Sequence, residues 1–260
     1  MTNASPVLEV RSVSKRFNAV QALVDVDLVV HPREVVALVG DNAAGKSTLA
    51  KIISGVLAPD DGSLAMDQQS VTISSPAQAY RLGIASVFQE LALCDNLDVV
   101  ANLFLGRELN DSGLLDESMM EKHARSYLDR LGSRIPSVRT SISNLSAGQR
   151  QCVAIARTLV GEPRLVVLDE PTASLSVLQT AEVLGHIERL RELGLGVVFI
   201  SHSLSDVLAV ADRVEVLRHG RNNGSFDAAA TSTEEIIAAI TGATRRWPQA
   251  ARTPLRAAGA

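Results

Sequence analysis

The nine residues from Gly40 to Thr48 read Gly-Asp-Asn-Ala-Ala-Gly-Lys-Ser-Thr, bringing two glycines, one ammonium group and two hydroxyls into a short stretch. Gly40, Gly45, Lys46 and Ser47 match G-x-x-x-x-G-K-[ST], the pattern of a loop that wraps phosphate oxygens. In such a loop backbone N–H groups converge on an anion at a helix start. The lysine neutralises the β and γ phosphates, and the hydroxyl of Ser47 is available to Mg²⁺. Asp41, Asn42, Ala43, Ala44 and Thr48 complete the candidate binding segment.

A pair of carboxylates forms the second constellation. Leu165 to Leu168 is an apolar run that delivers Asp169 and Glu170 at its end. Acids at the carboxyl end of a strand suit the ligand crevice of an open α/β sheet. Asp169 is the candidate metal ligand, and Glu170 is the candidate general base for an attacking water. A third feature lies between these two. Ser146 and Gln149 form an S-x-x-Q capping box ahead of Cys152, Ile155, Ala156 and Leu159. With the small residues Ala147 and Gly148, that helix start can offer N–H groups to an anion.

These groups need strands and helices to hold them. Apolar, β-branched runs at Val7–Val13, Leu23–Val30, Val35–Val39, Ile84–Phe88, Leu165–Leu168, Val197–Ile200 and Val214–Leu217 read as strands, several buried on both faces. Between them fall helical spacings, such as Val177, Ala181, Leu184 and Ile187, and a helix opens from Thr48 onward. Alternation of this kind predicts an α/β fold with a mostly parallel sheet. Residues from about 90 to 144 carry few β-branched runs and read as a helical insertion, with a helix around Ser118–Leu131. Ser232 and Glu235 form a capping box for a closing helix, and residues 243–260, with four Arg, two Pro and no acid, read as an unpacked tail.

Composition narrows the function classes. With Lys+Arg 25 against Asp+Glu 29, the net charge of −4 provides no basic footprint for nucleic acid. Cys94 and Cys152 stand far apart with no CxxC pair, which predicts neither a zinc site nor a disulfide framework. No run approaches the 18 or so apolar residues of a bilayer span, so any membrane crossing is expected from another chain.

With Leu145–Gln151, LSAGQRQ, between the phosphate loop and the acidic strand, the chain resembles the ATP-binding subunits of ABC transporters. The family's order of motifs is followed from about Phe17 to His202. The resemblance implies a P-loop NTPase fold with a RecA-like core, an antiparallel β subdomain and an α-helical subdomain at about 90–160, all within residues 5–242. It implies ATP and Mg²⁺ as ligands. It makes Phe17 the adenine-stacking aromatic and Gln89 a metal-shell residue that reports nucleotide state to the membrane subunits. His202 becomes a γ-phosphate contact, and Ser146, Ala147, Gly148 and Gln149 become the signature that meets nucleotide held by an opposite subunit. A second nucleotide-binding domain, most simply another copy, is therefore an implied partner.

The stretches Val87–Glu108 and Pro171–Ser176 are similar to those of monosaccharide importers for ribose, xylose or fructose. That likeness implies permease subunits, an indirect sugar-binding protein and a peripheral place on the cytoplasmic face of the membrane. Three positions depart from the family pattern. Ala43 stands where glycine is usual, Ser176 where many members have aspartate, and Ser203 where relatives often have a basic residue. The departures at Ala43 and Ser176 leave open a nucleotide-holding regulatory module with little hydrolysis. A soluble ABC ATPase of translation or DNA maintenance is disfavoured by the want of a tandem domain, a coiled arm or a basic surface.

Overall fold

A computed structural model describes residues 5–111 and 113–243. The chain begins with β1 (Leu8–Phe17), β2 (Val20–Val30), β3 (Val35–Val39), α1 (Lys46–Ile53), β4 (Asp61–Met66) and β5 (Gln69–Val71). It continues through α2 (Pro76–Arg81), β6 (Ile84–Val87), α3 (Val99–Phe104), a small hairpin β7 (Asn110–Asp111) and β8 (Leu114–Leu115), then α4 (Glu117–Arg130) and α5 (Ala147–Leu159). It finishes with β9 (Leu165–Asp169), α6 (Val177–Glu192), β10 (Gly196–Ile200), α7 (Leu204–Val210), β11 (Arg213–Arg218), β12 (Arg221–Asp227) and α8 (Thr233–Thr241).

Six strands form the central sheet in the order β12-β11-β3-β10-β9-β6, parallel except for β12. Every residue of β3, β9 and β10 is buried, which explains why these strands read as continuous apolar runs rather than alternating ones. Successive side chains feed opposite cores. Val35, Ala37, Val39, Val166, Leu168 and Phe199 pack toward the helices, whereas Val36, Leu38, Val167, Val198 and Ile200 pack toward α1 and the second sheet. Each fully buried Val, Leu or Phe contributes about 1.5–3 kcal/mol relative to exposure, so these strands are pinned from both sides.

The second sheet, β2-β1-β4-β5, is antiparallel. It supplies the antiparallel β layer expected from the family resemblance. The strand expected at Val7–Val13 runs on to Phe17 because its partner β2 continues to Val20, closing the hairpin with Phe17 opposite Val20. Asp61–Met66 and Arg221–Asp227 were not legible as strands, being polar and Gly-containing; pairing with β1 and β11 makes them so.

The stretch from 90 to 144, expected as a helical insertion, holds α3 and α4 among longer loops together with the β7–β8 hairpin. Buried Asn102 ties its start together: Oδ1 accepts from Cys94 N at 2.7 Å, and Nδ2 donates to Cys94 O at 3.0 Å and to Asp98 O at 2.9 Å. Arg139 joins Asp98, Glu117 and Glu121 across the same region.

Two expectations need correction. Helix α1 starts at Lys46, two residues before Thr48, because Gly45 in a left-handed conformation turns the chain directly into the helix. The buried face of α6 is Val183, His186, Ile187 and Leu190, not the stripe through Val177, Ala181, Leu184 and Ile187; Val177 is 90% exposed. A buried histidine hides this face from a hydrophobic count. Its Nδ1 lies 2.8 Å from the carbonyl of Leu131, an acceptor that satisfies the ring's N–H. The tail beyond residue 243 lies outside the described residues.

Candidate nucleotide site

The parallel register brings four loops to one edge of the sheet. Leu38 pairs with Ile200, Ile200 with Asp169, and Leu168 with Val87. The residues that follow, Gly40, His202, Glu170 and Gln89, therefore emerge side by side at the carboxyl ends of neighbouring strands, where open α/β sheets bind ligands.

Glycine is required at both ends of the first loop. A Cβ on Gly40 would sit 2.2 Å from Leu217 O, and one on Gly45 would sit 2.6 Å from Leu23 Cδ2 and 2.7 Å from Ala22 O. Gly45 also has φ +106, which L side chains rarely adopt. Between them Ala43 takes φ +61, so the position where the family usually has glycine does require the left-handed region. Its methyl faces solvent, which makes the alanine tolerable. As the N-cap of α1, Gly45 makes no side-chain cap, so the first N–H groups of the helix are left without that partner.

Lys46 is buried, and its Nζ donates to Gly40 O at 2.8 Å and Asp41 O at 3.0 Å. Burial holds its pKa below the usual lysine value, opposed by the charges of Glu170, Asp169 and Asp41. Ser47 Oγ donates a long hydrogen bond of 3.5 Å to Asp169 Oδ1, linking the loop to β9. Asp169 is itself buried.

Glu170 follows with φ +54, strained for a residue with a Cβ. Its N–H donates to Ile200 O at 3.0 Å, and its Oε1 is 3.1 Å from His202 Nε2. The two are close enough to pair electrostatically but are not aligned as a hydrogen bond, and Oε1 is buried with no other partner. Burial pushes the Glu170 carboxyl above the usual range; His202 and Lys46 oppose this, and Asp169 adds to it. A recess of about 570 Å³ opens here, bordered by Glu170, Thr172, His202 and Asp206.

Phe17 lies half-exposed at the end of β1, with Lys15 Nζ 5.8 Å from its ring centroid. It neighbours the loop through β2, whose Ala22 and Leu23 back onto Gly45. Gln89 is exposed two residues beyond β6. Ser146 and Gln149 close the expected capping box on α5: Ser146 N donates to Gln149 Oε1 at 3.0 Å, and Gln149 N to Ser146 Oγ at 3.2 Å. That helix packs on α3, α4, α6 and β6, whereas α1 packs on β2 and β9. One copy of the chain gathers Gly40–Thr48, Asp169, Glu170 and His202, while Ser146–Gln149 opens a helix packed on other elements than α1.

Sequence reasoning missed two features. Ser176 and Gln179 make a second capping box, on α6, with the same S-x-x-Q spacing that identified the first. Gly148 abuts the side chain of Gln179, so the two capped helix starts touch. The other is a side-chain bond between loops: Thr172 Oγ1 donates to Asp206 Oδ2 at 2.8 Å. No local pattern announces it, since the partners are far apart in the chain.

Comparison with known proteins agrees with this arrangement. Residues 23–173 match the family model for ABC transporters. The xylose/arabinose import ATP-binding protein XylG of Sulfolobus acidocaldarius is 42% identical over 237 residues, which cover 91% of this chain and 94% of that protein. Ribose import ATP-binding protein RbsA 1 of Rubrobacter xylanophilus is 44% identical over 237 residues, 91% of this chain but 47% of its own length. The chain thus spans about half of that relative. The ADP conformation of MJ1267, an ATP-binding cassette of an ABC transporter, superposes with a TM-score of 0.78 at 27% identity, covering 91% of this chain and 95% of that one. The fold, the loop geometry and a family match over more than half the sequence agree: the chain belongs to the ABC transporter family and carries its ATP-binding cassette.

Proposed function

We propose that this chain binds and hydrolyses ATP to power import of a monosaccharide through partner permease subunits. The observation that carries the reading is the convergence of Lys46, Ser47, Asp169, Glu170 and His202 on one sheet edge. The sugar class follows from the import relatives.

In this mechanism the N–H groups opening α1 receive the phosphates, and Lys46 exchanges the carbonyls of Gly40 and Asp41 for the β and γ oxygens. Asp41, Asn42, Ala43, Ala44 and Thr48 complete the wrap. Ser47 and Asp169 fit Mg²⁺, a hard cation that takes a few protein oxygens and completes its shell from phosphates and water, with Gln89 reaching the same shell. Bound there, the ion would neutralise charge on the β and γ oxygens. Glu170 accepts the proton of the attacking water, a role suited to a carboxyl whose burial raises its proton affinity. His202 steadies the γ-phosphate, and Phe17 stacks on adenine for about 1–3 kcal/mol.

The signature residues Ser146, Ala147, Gly148 and Gln149 open α5, which packs on other elements than the phosphate-loop helix α1. They would act on the nucleotide of a second copy arranged head to tail, with Gln89 passing the nucleotide state to the permease. No helix among the described residues is long and apolar enough to cross a membrane. That agrees with peripheral association at the cytoplasmic face, a sugar-binding protein engaging the far side of the assembly.

The test is ATP-dependent uptake of labelled xylose, ribose and fructose by vesicles containing the complete transporter, alongside ATP hydrolysis by the chain. Uptake of any of the three that stops when Lys46 is replaced by Ala supports the proposal. Hydrolysis without uptake of any of them removes the sugar assignment. A second reading, a nucleotide-holding regulatory module, rests on Ala43 and Ser176; tight ATP binding with no turnover in the full assembly selects it.

A further inference from the structure

Three helices here open with a Ser-x-x-Gln/Glu cap whose two side chains answer each other: Ser146 with Gln149, Ser176 with Gln179, and Ser232 with Glu235. Helix α7 opens with Ser203-Leu204-Ser205-Asp206. Asp206 N donates to Ser203 Oγ at 3.4 Å, but the return bond is absent. Ser203 N donates instead to Ser201 Oγ at 3.1 Å, and the Asp206 carboxylate turns away to accept from the buried Thr172 hydroxyl at 2.8 Å.

That diversion joins the two loops that carry the reacting pair. Thr172 is two residues beyond Glu170, and Asp206 is four residues beyond His202. The loops are thus tied twice, by Glu170 with His202 at 3.1 Å and by Thr172 with Asp206 at 2.8 Å. Glu170 needs such support, since its φ of +54 is a strained conformation that persists only where the surroundings over-determine it. Backbone bonds from Glu170 N to Ile200 O and from Ala173 N to Glu170 O hold the turn itself. The side-chain bond from Thr172 to Asp206 sets it against α7.

We infer that Asp206, acting through Thr172, is a positioning residue that fixes the Glu170 carboxylate relative to His202 for ATP hydrolysis. The inference rests on the hydrolytic role proposed for Glu170. It assigns Asp206 to turnover rather than to nucleotide affinity, because neither Thr172 nor Asp206 belongs to the phosphate loop.

The test is steady-state ATP hydrolysis by the full chain carrying Thr172→Val, Asp206→Ala, both together, and the conservative Thr172→Ser and Asp206→Asn. Thr172→Val and Asp206→Ala are each expected to lower kcat roughly 10- to 100-fold, the scale of one hydrogen bond to a charged group, with KM for ATP within about twofold. The double variant should be no worse than either single one, and Thr172→Ser and Asp206→Asn, which keep a donor and an acceptor, should recover most of the rate. Unchanged kcat, multiplicative losses in the double variant, or a loss confined to KM would overturn the inference. Glu170→Gln measured in parallel separates the two claims. If it keeps normal turnover, the role of Glu170 fails; if it alone loses turnover, Glu170 stands and the clasp fails.

Discussion

Glu170 Oε1 and His202 Nε2 lie 3.1 Å apart, one just past β9 and the other just past β10. The parallel pairing of Asp169 with Ile200 delivers them there. Lys46 and Asp169 both act on the same carboxyl, the first lowering and the second raising its proton affinity, while burial dominates both.

Glu170→Gln removes the proton acceptor while keeping the shape. ATP binding should persist, and turnover should fall by about 10²–10⁴. In the parent chain the acid limb of the kcat/KM profile, which reports the free protein, should sit above the ordinary carboxylate range, since burial raises this pKa. Equilibrium nucleotide binding and single-turnover hydrolysis measure the two effects. Undiminished hydrolysis would take the general-base role away from this residue.

Ala43→Gly relieves a left-handed alanine. The relief is about 1–2 kcal/mol, and the added freedom of glycine in the unfolded chain takes back about 0.4–1 kcal/mol. The net gain should be roughly 0.8 kcal/mol, or about 2–3 °C in Tm for a chain of this size. A fall in Tm on calorimetry would mean that the alanine is not strained.

Ser176 stands where many relatives have aspartate, and its hydroxyl caps α6. Ser176→Ala should cost about 0.5–2 kcal/mol. Ser176→Asp, an equally good cap, should melt within about 1 °C of the parent. Chemical denaturation and thermal melts of the three proteins test this. Equal stability of the Ala variant would mean that the cap contributes nothing.

His186 is buried against α4, and burial lowers its pKa despite the Leu131 carbonyl, which favours the charged form, and the nearby Glu182. A histidine with a depressed folded pKa contributes fully above its unfolded value of about 6.5, and that contribution is lost as pH falls toward the folded value. The neighbouring Cys152 thiol, pushed up to about 11 by burial, does not titrate in this window. Tm should therefore drop between pH 7.5 and 5.5, and His186→Gln should lessen the drop. An identical slope in the variant would assign the pH dependence to other groups.

Much of the site was readable in one dimension because its parts are local. Val35–Val39 running into Gly40–Ser47 is a strand, a turn and a helix start in unbroken sequence, and Ser146 with Gln149 closes a cap within a single turn. Here residue type and spacing determine the backbone, and the backbone determines the chemistry. The polar strands β4 and β12 were not readable, because their conformation comes from the neighbours they pair with.

Relationships across the chain belonged to the tertiary structure alone. The order β3-β10-β9-β6 decides that the phosphate loop, Gln89, Glu170 and His202 share one edge. The burial that raises the proton affinity of Glu170 and the bond from Thr172 to Asp206 arise between elements remote in sequence. Spacing along a chain fixes only what short-range sterics can reach; long-range pairing and the exclusion of water fix the rest.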